Sequence, residues 1–471
     1  MISLILLKEL REILSSTKFA VTFGVCSLLI LLSFYVGARN FEISAEQYEA
    51  SKRENLRSME TMTDWSEVRN HRIFLPPRPI ASLVSGVSND IGRTADIRGS
   101  GDIAAQDSRY GEDPIFAVFR FLDLEFIIQI VLSLFAILFA YDAVNGEKER
   151  GTLRLTFANA VPRSSYILGK IAGSFLGLAI PLLIPLLIGC LILLAMSIPM
   201  TSDDWMRLAL VVLSGYLYFG VFLAVSLFVS SATQKSSSSF LMLLVIWIFS
   251  VMIIPRSAVL LAGRAVEVPS VDEIASKRSR FSASLWNEQR KAMADFRIPE
   301  GTPPDRMMQE FQKFMGQQGE EREKKMSEFT SRLNEERTNR QHVQERLAFG
   351  LARCSPSAVF SFASTSIAET GVHLKDEYKA QAQRYQQAFG EFIKGKTGVM
   401  PGGGMVFRIN TDDNETEEKP INPNELPTFE FQAPPLSASL GGIAIDMGIL
   451  ALFCLVFFAG AFWSFLRYDV R

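Results

Sequence analysis

Apolar runs long enough to cross a membrane recur along this 471-residue chain, and polar stretches of very different lengths separate them. A helix that crosses the hydrocarbon core of a bilayer needs about 20 mostly apolar residues, and its backbone amides must bond within the segment. The pattern predicts six transmembrane helices, over residues 19–36, 120–141, 171–198, 206–230, 239–262 and 443–466. The predicted fold class is therefore an all-α polytopic membrane protein.

A leader over residues 1–18 precedes the first apolar run. A charged start, an apolar stretch and the small residues Gly37 and Ala38 also suit a signal peptide, but this stretch exceeds the usual length of about 7 to 15 residues. The leader has two helical faces, one with Leu6, Leu10, Ile13 and Leu14, the other with Lys8, Glu9, Arg11 and Glu12. We predict an interfacial helix that leads into a retained first span.

Lysine and arginine residues concentrate at alternate ends of the predicted spans. They precede the first span, fill the segment over residues 142–170 and end the chain, whereas the loop over residues 199–205 carries Asp203 and Asp204 and no cation. Because cations in short loops mark the cytoplasmic side, we predict that both termini, including a tail over 467–471, and the 142–170 loop are cytoplasmic. Residues 37–119 and 263–442 are then extracytoplasmic.

These two long polar stretches differ in pattern. Residues 37–119 pass from a charged, helix-compatible part to a Pro/Gly-punctuated part that suits short strands, and we expect them to pack on the second stretch. Residues 263–442 are predicted to form a large, mainly helical domain, in which helices over 304–352 and 374–392 pair as a hairpin. Their apolar stripes are Met307, Met308, Phe311, Phe314, Met315, Met326, Phe329 and Leu333, and Leu374, Tyr378, Ala382, Tyr385, Phe389 and Phe392.

The 142–170 loop is patterned rather than loosely polar. Leu153, Phe157 and Val161 follow at intervals of four residues, which predicts one apolar stripe of a short helix that starts near Gly151 and Thr152. Pro162 would end that helix and begin the next one. The pattern alone leaves two interpretations open: a helix that anchors the loop to the lipid surface, and a helix that docks on another protein.

Five segments of the chain have a pattern beyond their hydrophobicity: "YDAVNGEKERGTLRLTFANAVPRSSYILGKIAG", "KELREILSSTKF", "RPIASLVSGVSNDIGRT", "WIFSVMIIPRSAVLLA" and "LARCSPSAVFSFASTSIAETG". They resemble segments of the ABC-2 type permeases, the membrane subunits of a large class of ABC exporters, and the last of them does so more weakly. The large insertion before the last span resembles the subgroup with expanded extracytoplasmic domains, as in gliding-motility and nitrous-oxide-reductase-maturation permeases. The resemblance implies a multi-pass protein of the bacterial cytoplasmic (inner) membrane.

In that family the loop after the second span contains the coupling helix, which docks on a separate ATPase subunit. Carried onto this chain, Glu147 and Glu149 mark the end of span two, and Leu153, Phe157 and Val161 fill a groove on the ATPase with Arg150 and Arg154 at its rim. The resemblance thus implies ATPase-coupling residues at Glu147, Glu149, Arg150, Gly151, Thr152, Leu153, Arg154, Phe157, Val161 and Pro162. It also implies a second permease, either a copy of this chain or a sister protein.

Composition and missing motifs exclude other classes. A net charge of −2, from 48 cationic and 50 anionic residues, gives no sign of nucleic-acid binding. The chain lacks the glycine spacing of a phosphate-binding loop, so we expect ATP and Mg²⁺ to bind the partner ATPase and this chain to carry no cofactor and no enzyme activity. The four cysteines form no zinc or disulfide pattern. We expect His71, His342 and His373 to be surface residues, since their spacing suits neither a metal nor a general base.

The function predicted from the sequence is a permease subunit that exports a substrate, or that transmits motion to an extracytoplasmic protein partner. The alternative is a membrane-anchored receptor or scaffold whose helical external domain binds a ligand; it predicts no dependence on an ATPase. Ionisable residues inside membrane spans are functional candidates. Asp446, near the start of the last span, is a candidate gating residue, and an interfacial carboxylate without that role explains it equally well.

Overall fold

The computed structural model describes residues 2–68, 70–88, 92–98, 105–106, 123–158, 161–297, 304–397 and 421–467, so predictions for 120–122 and for the tail beyond 467 lie outside it. Six of its helices are long and apolar enough to cross a membrane. We call them spans 1 to 6: Thr17–Arg57, Leu124–Glu149, Arg163–Ala195, Ser202–Ala232, Ser236–Ala265 and Leu436–Arg467. The predicted fold class, an all-α polytopic membrane protein, is confirmed.

The remaining described residues form further helices and three strands. The helices are α1 (Ile2–Leu14), α2 (Pro79–Leu83), α3 (Thr152–Ala158), α4 (Val271–Asp295), α5 (Pro304–Ala352), α6 (Pro356–Ala368) and α7 (His373–Thr397). Strands β1 (Asn70–Phe74), β2 (Thr94–Arg98) and β3 (Ala105–Gln106) form an antiparallel sheet in that order, with His71 opposite Ile97. Short 3₁₀ turns lie at Trp65–Glu67 and Pro423–Glu425, and spans 2 and 5 contain the π-helical stretches Ile127–Leu132 and Phe249–Ile253.

The chain forms two compact units: Met1–Ile253 with Ser355–Arg471, and Ile254–Cys354. In the first unit the bundle of spans has two faces. At one end, which we call the proximal face, Asn145 bonds to Thr233 and Arg163 donates to the Leu466 carbonyl. The opposite end, the distal face, carries α2, α7 and the sheet.

Helix α1 packs along the start of span 3, where Gly169, Gly173 and Gly177 allow a close approach. A Cβ atom on Gly173 would lie 2.8 Å from the Glu9 Cβ and 3.1 Å from the Leu6 carbonyl oxygen. Small residues four apart let two helix backbones approach closely. The prediction for the charged face of α1 is wrong at Glu9. This residue is buried, because Lys170 of span 3 pairs with its carboxylate.

Gly173→Val is expected to displace α1 from span 3, with a loss of about 1–3 kcal/mol in the free energy of unfolding, because the added atoms overpack a helix contact. Gly24→Ala is the control, since a Cβ atom there meets nothing within 4 Å. The measurement is the apparent melting temperature of each purified variant in the same detergent. Equal melting temperatures for the two variants would contradict the proposed close contact.

Helix α6 packs among the spans, although it falls in the stretch over 263–442 that the sequence assigns to an extracytoplasmic domain. The Gln129 side-chain amide donates to the Ser357 hydroxyl at 2.6 Å, and the Tyr218 ring stacks on Phe360 with centroids 4.9 Å apart. The helix has 13 residues and is largely buried. It is too short to cross a bilayer, and for this reason the count of apolar residues missed its place in the bundle.

The three strands, α7, the end of span 1 and residues 421–431 share a separate hydrophobic core, which we call the sheet subdomain. The predicted apolar face of α7 is confirmed, since Tyr378, Ala382, Tyr385 and Phe389 are buried there. The expectation that residues 37–119 pack on the second polar stretch is also confirmed in this core. The expectation of a surface position is wrong for His71, which packs against Tyr385 and Phe389 on α7.

We expect the sheet subdomain to lose stability in mild acid. Burial lowers the pKa of the His71 imidazole to about 4, from 6.5 in an unfolded chain. Between these pH values the unfolded chain binds more protons, so the stabilisation is present above pH 6.5 and declines as the pH falls. At pH 5 the loss is about 2 kcal/mol relative to pH 7.

Hydrogen exchange of the α7 amides at pH 7 and pH 5, corrected for the intrinsic exchange rates, measures this loss. A His71→Leu variant serves as the control, because it removes the titrating group and should flatten the pH dependence. An unchanged pH dependence in that variant would assign the acid sensitivity to other groups.

The second unit contains a helical hairpin, but not the predicted one. Helix α5 packs antiparallel on α4: the Phe281 and Phe329 rings stack with centroids 4.0 Å apart, and Arg322 donates to the Gln289 side chain at 2.8 Å. The predicted pairing of 304–352 with 374–392 is wrong, because the apolar face of α7 is covered by the sheet subdomain. The side chains of Met307 and Met308 lie outside the described part of the chain.

Candidate functional site

Glu147, near the end of span 2, belongs to a buried cluster of charged groups at the proximal face. The Lys170 ammonium of span 3 lies 3.0 Å from Glu147 Oε1 and also pairs with Glu9 of α1, and the Tyr166 hydroxyl donates to Glu147 Oε2. The side chains of Lys170, Glu9 and Glu147 are only 3%, 8% and 11% exposed. We call these four residues the proximal charge cluster. It joins α1, span 2 and span 3.

The cluster lies in a weakly hydrated setting, which affects its ionisation. Burial raises the pKa of the Glu9 carboxyl, and the neighbouring Lys170 ammonium opposes that shift. Lys8 lies 3.5 Å from the same Glu147 oxygen, but its side chain is 52% exposed. The buried Lys170 is therefore the main positive partner of both carboxylates.

The next two residues connect the same helix end to spans 4 and 5. Lys148 Nζ donates to the carbonyl oxygens of Ser231 and Thr233, at 2.6 and 3.2 Å, where span 4 ends. Glu149 accepts hydrogen bonds from the backbone N–H and the hydroxyl of Ser236, each at 2.9 Å, where span 5 begins. The Lys148 ammonium thus lies at the C-terminus of span 4, and the Glu149 carboxylate lies at the N-terminus of span 5. Each charge interacts favourably with the dipole of the helix end that it faces. Residues 147–149 thus connect span 2 to α1 and to spans 3, 4 and 5.

Gly151 separates this charged helix end from α3. Its φ of +73° lies in the left-handed region that favours glycine. After this turn, Leu153 points into the core and is 2% exposed. The Phe157 ring lies 5.4 Å from Tyr166 and 6.0 Å from Phe465 of span 6, measured between ring centroids.

The orientation of α3 corrects the sequence-based expectation that Leu153, Phe157 and Val161 fill a groove on a partner. Leu153 is buried, and Phe157 and Val161 pack against the core of this chain. The outward side of α3 instead presents Arg154 and Leu155, the latter 68% exposed. A stripe with helical spacing identifies an apolar face, but it does not tell whether the same chain or another one covers that face.

The other predicted coupling residues occupy the ends of this loop. Arg150 and Thr152 are exposed, and the Thr152 hydroxyl lies 3.4 Å from the Glu147 carbonyl oxygen that accepts its hydrogen bond. Pro162, also exposed, is the N-cap residue of the helix Arg163–Ala195. The structure thus brings the predicted residues together in one segment and divides them between an inward and an outward side.

Sequence reasoning missed four residues at this site: Glu9, Lys148, Tyr166 and Lys170. One signal was available for Lys170. It lies next to Gly169 in a run whose glycines recur every four residues, a pattern that indicates close packing by another helix. A lysine beside such a contact is buried and needs a carboxylate partner. No spacing in the sequence identifies Glu9 as that partner.

A second buried cluster lies at the distal face. Arg207 of span 4 is fully buried and pairs with Asp203 at 2.5 Å and with Glu369 at 2.7 Å. It also donates to the carbonyl oxygens of Ile367 and Pro434, at 2.8 and 3.0 Å. Glu369 in turn pairs with Arg78, the residue before α2. This cluster holds together span 4, the end of α6, the entry to span 6 and the start of α2, and sequence reasoning also missed it.

Asp446, the candidate gating residue, lies in span 6 and is 2% exposed. Its burial agrees with either role considered above, so gating by Asp446 stays a prediction. Among the residues that the structure describes, no group of three or more His, Cys, Asp or Glu side chains is arranged to hold a metal ion.

The sequence profile of one protein family, described as ABC-2 family transporter protein, matches residues 3–470. No curated protein matches the sequence significantly. The match covers every span, the proximal charge cluster and the distal cluster.

Proposed function

Because the chain belongs to the ABC-2 family of transporter proteins, we propose that it is a permease subunit driven by a separate ATPase that docks on residues 142–170. The proximal face is then cytoplasmic, the distal face is extracytoplasmic, and the membrane is the bacterial inner membrane. Family membership supports an ABC ATPase as a partner in general. The cation-rich proximal loops support this orientation.

One observation carries the docking proposal: α3 presents Leu155 outward on a segment that is firmly attached to the bundle. A large apolar side chain that is 68% exposed, next to Arg154, suits a helix that inserts into a groove of another protein. Leu153 and Phe157 fix the opposite side of α3 to Tyr166 and span 6. Force applied to α3 would therefore reach the bundle rather than bend a loose loop.

The contacts of residues 147–149 define how that force spreads. Glu147 connects to α1 and span 3 through Lys170, Lys148 connects to span 4, and Glu149 connects to span 5. Packed helices held by buried polar contacts move as discrete bodies rather than by continuous deformation. We propose that ATPase movement at α3 shifts these elements together.

At the distal face the moving spans carry the sheet subdomain and the distal cluster. Arg207 joins span 4 to Glu369 and to the Pro434 carbonyl before span 6. Motion of span 4 would thereby reach the extracytoplasmic part of the first unit. The proposed output is export of a substrate, or work on an extracytoplasmic protein partner, by an assembly that contains a second permease.

Leu155→Asp is expected to weaken ATPase binding by about 10- to 100-fold, since the loss of one buried leucine corresponds to about 1.5–3 kcal/mol. The membrane insertion and melting temperature of the variant should stay unchanged, because the side chain is exposed. The measurement is the amount of a Walker A-containing subunit that co-purifies with the tagged chain from its native membrane.

Two variants serve as controls. Val271→Asp adds the same charge at another exposed apolar position, 63% exposed on α4, and should retain the ATPase. Leu153→Asp buries a charge and should instead reduce the yield of folded protein. Wild-type ATPase recovery with Leu155→Asp would contradict docking on α3, and recovery of the wild-type chain with extracytoplasmic partners alone would favour the receptor alternative.

A further inference from the structure

The last turns of α5 run back along the end of span 5. Arg340 and Gln344 of α5 donate to the carbonyl oxygens of Glu267 and Val266, just beyond Ala265 where span 5 ends. From there α5 packs along the helical stretch Ile254–Ala265. Small buried side chains line the two helices: Ala258, Ala262, Ala348 and Ala352. Residues 344–352 therefore lie beside the last third of a membrane-spanning helix.

The opposite side of the same turns is apolar and exposed. Val343, Leu347 and Leu351 follow at intervals of four residues and are 45%, 36% and 39% exposed. Gly350 and Cys354 lie on this side as well. A soluble helix of a charged hairpin would carry polar side chains here, as α5 does over most of its length.

The neighbouring part of span 5 is also apolar and exposed. Its residues Val259, Leu260 and Leu261 are 62%, 69% and 56% exposed, and they belong to a helix that is long and apolar enough to cross a membrane. The apolar stripe of α5 lies on a helix that packs directly against this part of span 5 and so extends its exposed apolar surface. Arg346, exposed between Val343 and Leu347, can extend along the helix toward lipid phosphates.

We propose that residues 343–354, the base of the α4–α5 hairpin, lie in the interfacial layer of the bilayer. Val343, Leu347 and Leu351 contact acyl chains, and Arg346 contacts anionic headgroups. The hairpin is thus anchored to the membrane along its last three turns and not only through span 5. This inference rests on membrane insertion of the chain and is independent of ATPase docking.

Site-directed spin labelling in nanodiscs of phosphatidylcholine and phosphatidylglycerol tests this proposal. Labels are placed singly at Leu347→Cys and Leu351→Cys, after replacement of Cys26, Cys190, Cys354 and Cys454, and at native Cys354 with the other three replaced. Ser331→Cys is the matched control, since it is also exposed on α5 but lies about three turns before the base begins at Val343. The collision rate of a label with oxygen is high where the label contacts lipid. Its collision rate with a water-soluble nickel chelate is high where the label contacts water.

The ratio of oxygen to nickel accessibility is expected to be at least tenfold higher at 347 and 351 than at 331. The ratio at 354 should also exceed the ratio at 331. Nickel accessibility at 347 and 351 equal to that at 331 would place the stripe in water and overturn the proposal. Line broadening that disappears when labelled and unlabelled chains are mixed would assign the stripe to a second copy of this chain, which also overturns it.

Discussion

Lys170→Met is expected to lower the free energy of unfolding by about 3–5 kcal/mol, because it leaves two carboxylates in a buried site without their cation. The Lys170 side chain is 3% exposed and pairs with both Glu9 and Glu147. The variant should show a lower apparent melting temperature in detergent and a smaller monodisperse fraction on gel filtration. The same substitution should also loosen α1 from span 3.

Two further variants show whether the buried pairing is the cause. Lys8→Met removes a cation that faces the same Glu147 oxygen from an exposed position, and its effect should stay below about 1 kcal/mol. Adding Glu9→Leu to Lys170→Met should recover part of the loss, since it removes one of the unpaired charges. Similar small effects for Lys170→Met and Lys8→Met would mean that the proximal charge cluster does not stabilise the fold.

Arg207→Met is expected to have an effect of similar size, about 3–5 kcal/mol, at the distal face. The substitution removes the fully buried cation that pairs with Glu369. It also removes the N–H groups that donate to the carbonyl oxygens of Ile367 and Pro434. Because these contacts hold α6 and the entry to span 6, we expect faster proteolysis near residues 369–372 and 434 in addition to a lower melting temperature.

Arg207→Lys and Arg39→Met complete this test. Lysine keeps the charge but lacks the planar fork that reaches several acceptors at once, so Arg207→Lys should retain only part of the stability. Arg39 pairs with Glu42 at 2.7 Å, but its side chain is 59% exposed, so Arg39→Met should change stability by less than about 1 kcal/mol. Proteolysis that is equally fast in Arg39→Met and Arg207→Met would contradict a specific role for the distal cluster.

The proximal charge cluster and the contacts beside it account for much of the charge in the 142–170 loop. Three consecutive charged residues of this loop have partners in the bundle: Glu147, Lys148 and Glu149 each bind a different part of it. Arg154 and Leu155 are left on the outward side of α3. The residues proposed to transmit motion and those proposed to meet the ATPase are therefore different, although they are neighbours in the chain.

The amino-acid sequence by itself determined the six spans, because burial in lipid requires long apolar runs with internally bonded backbones. It also determined the apolar face of α7 and the existence of a short patterned segment after span 2, since helical periodicity is a local property. It failed wherever two distant segments had to be matched, as for the hairpin partner of α5, the place of α6 and the burial of His71.

Only the tertiary structure decided which charges are buried and which side of α3 is exposed. Glu9 and Lys170 are 161 positions apart, and Arg207 and Glu369 are paired across a similar distance in the chain. No spacing in a single sequence identifies such a pair, because each of these residues resembles other charged residues at the ends of membrane helices. The physical reason is that desolvation and pairing depend on the neighbours in space, which the packing of the spans creates.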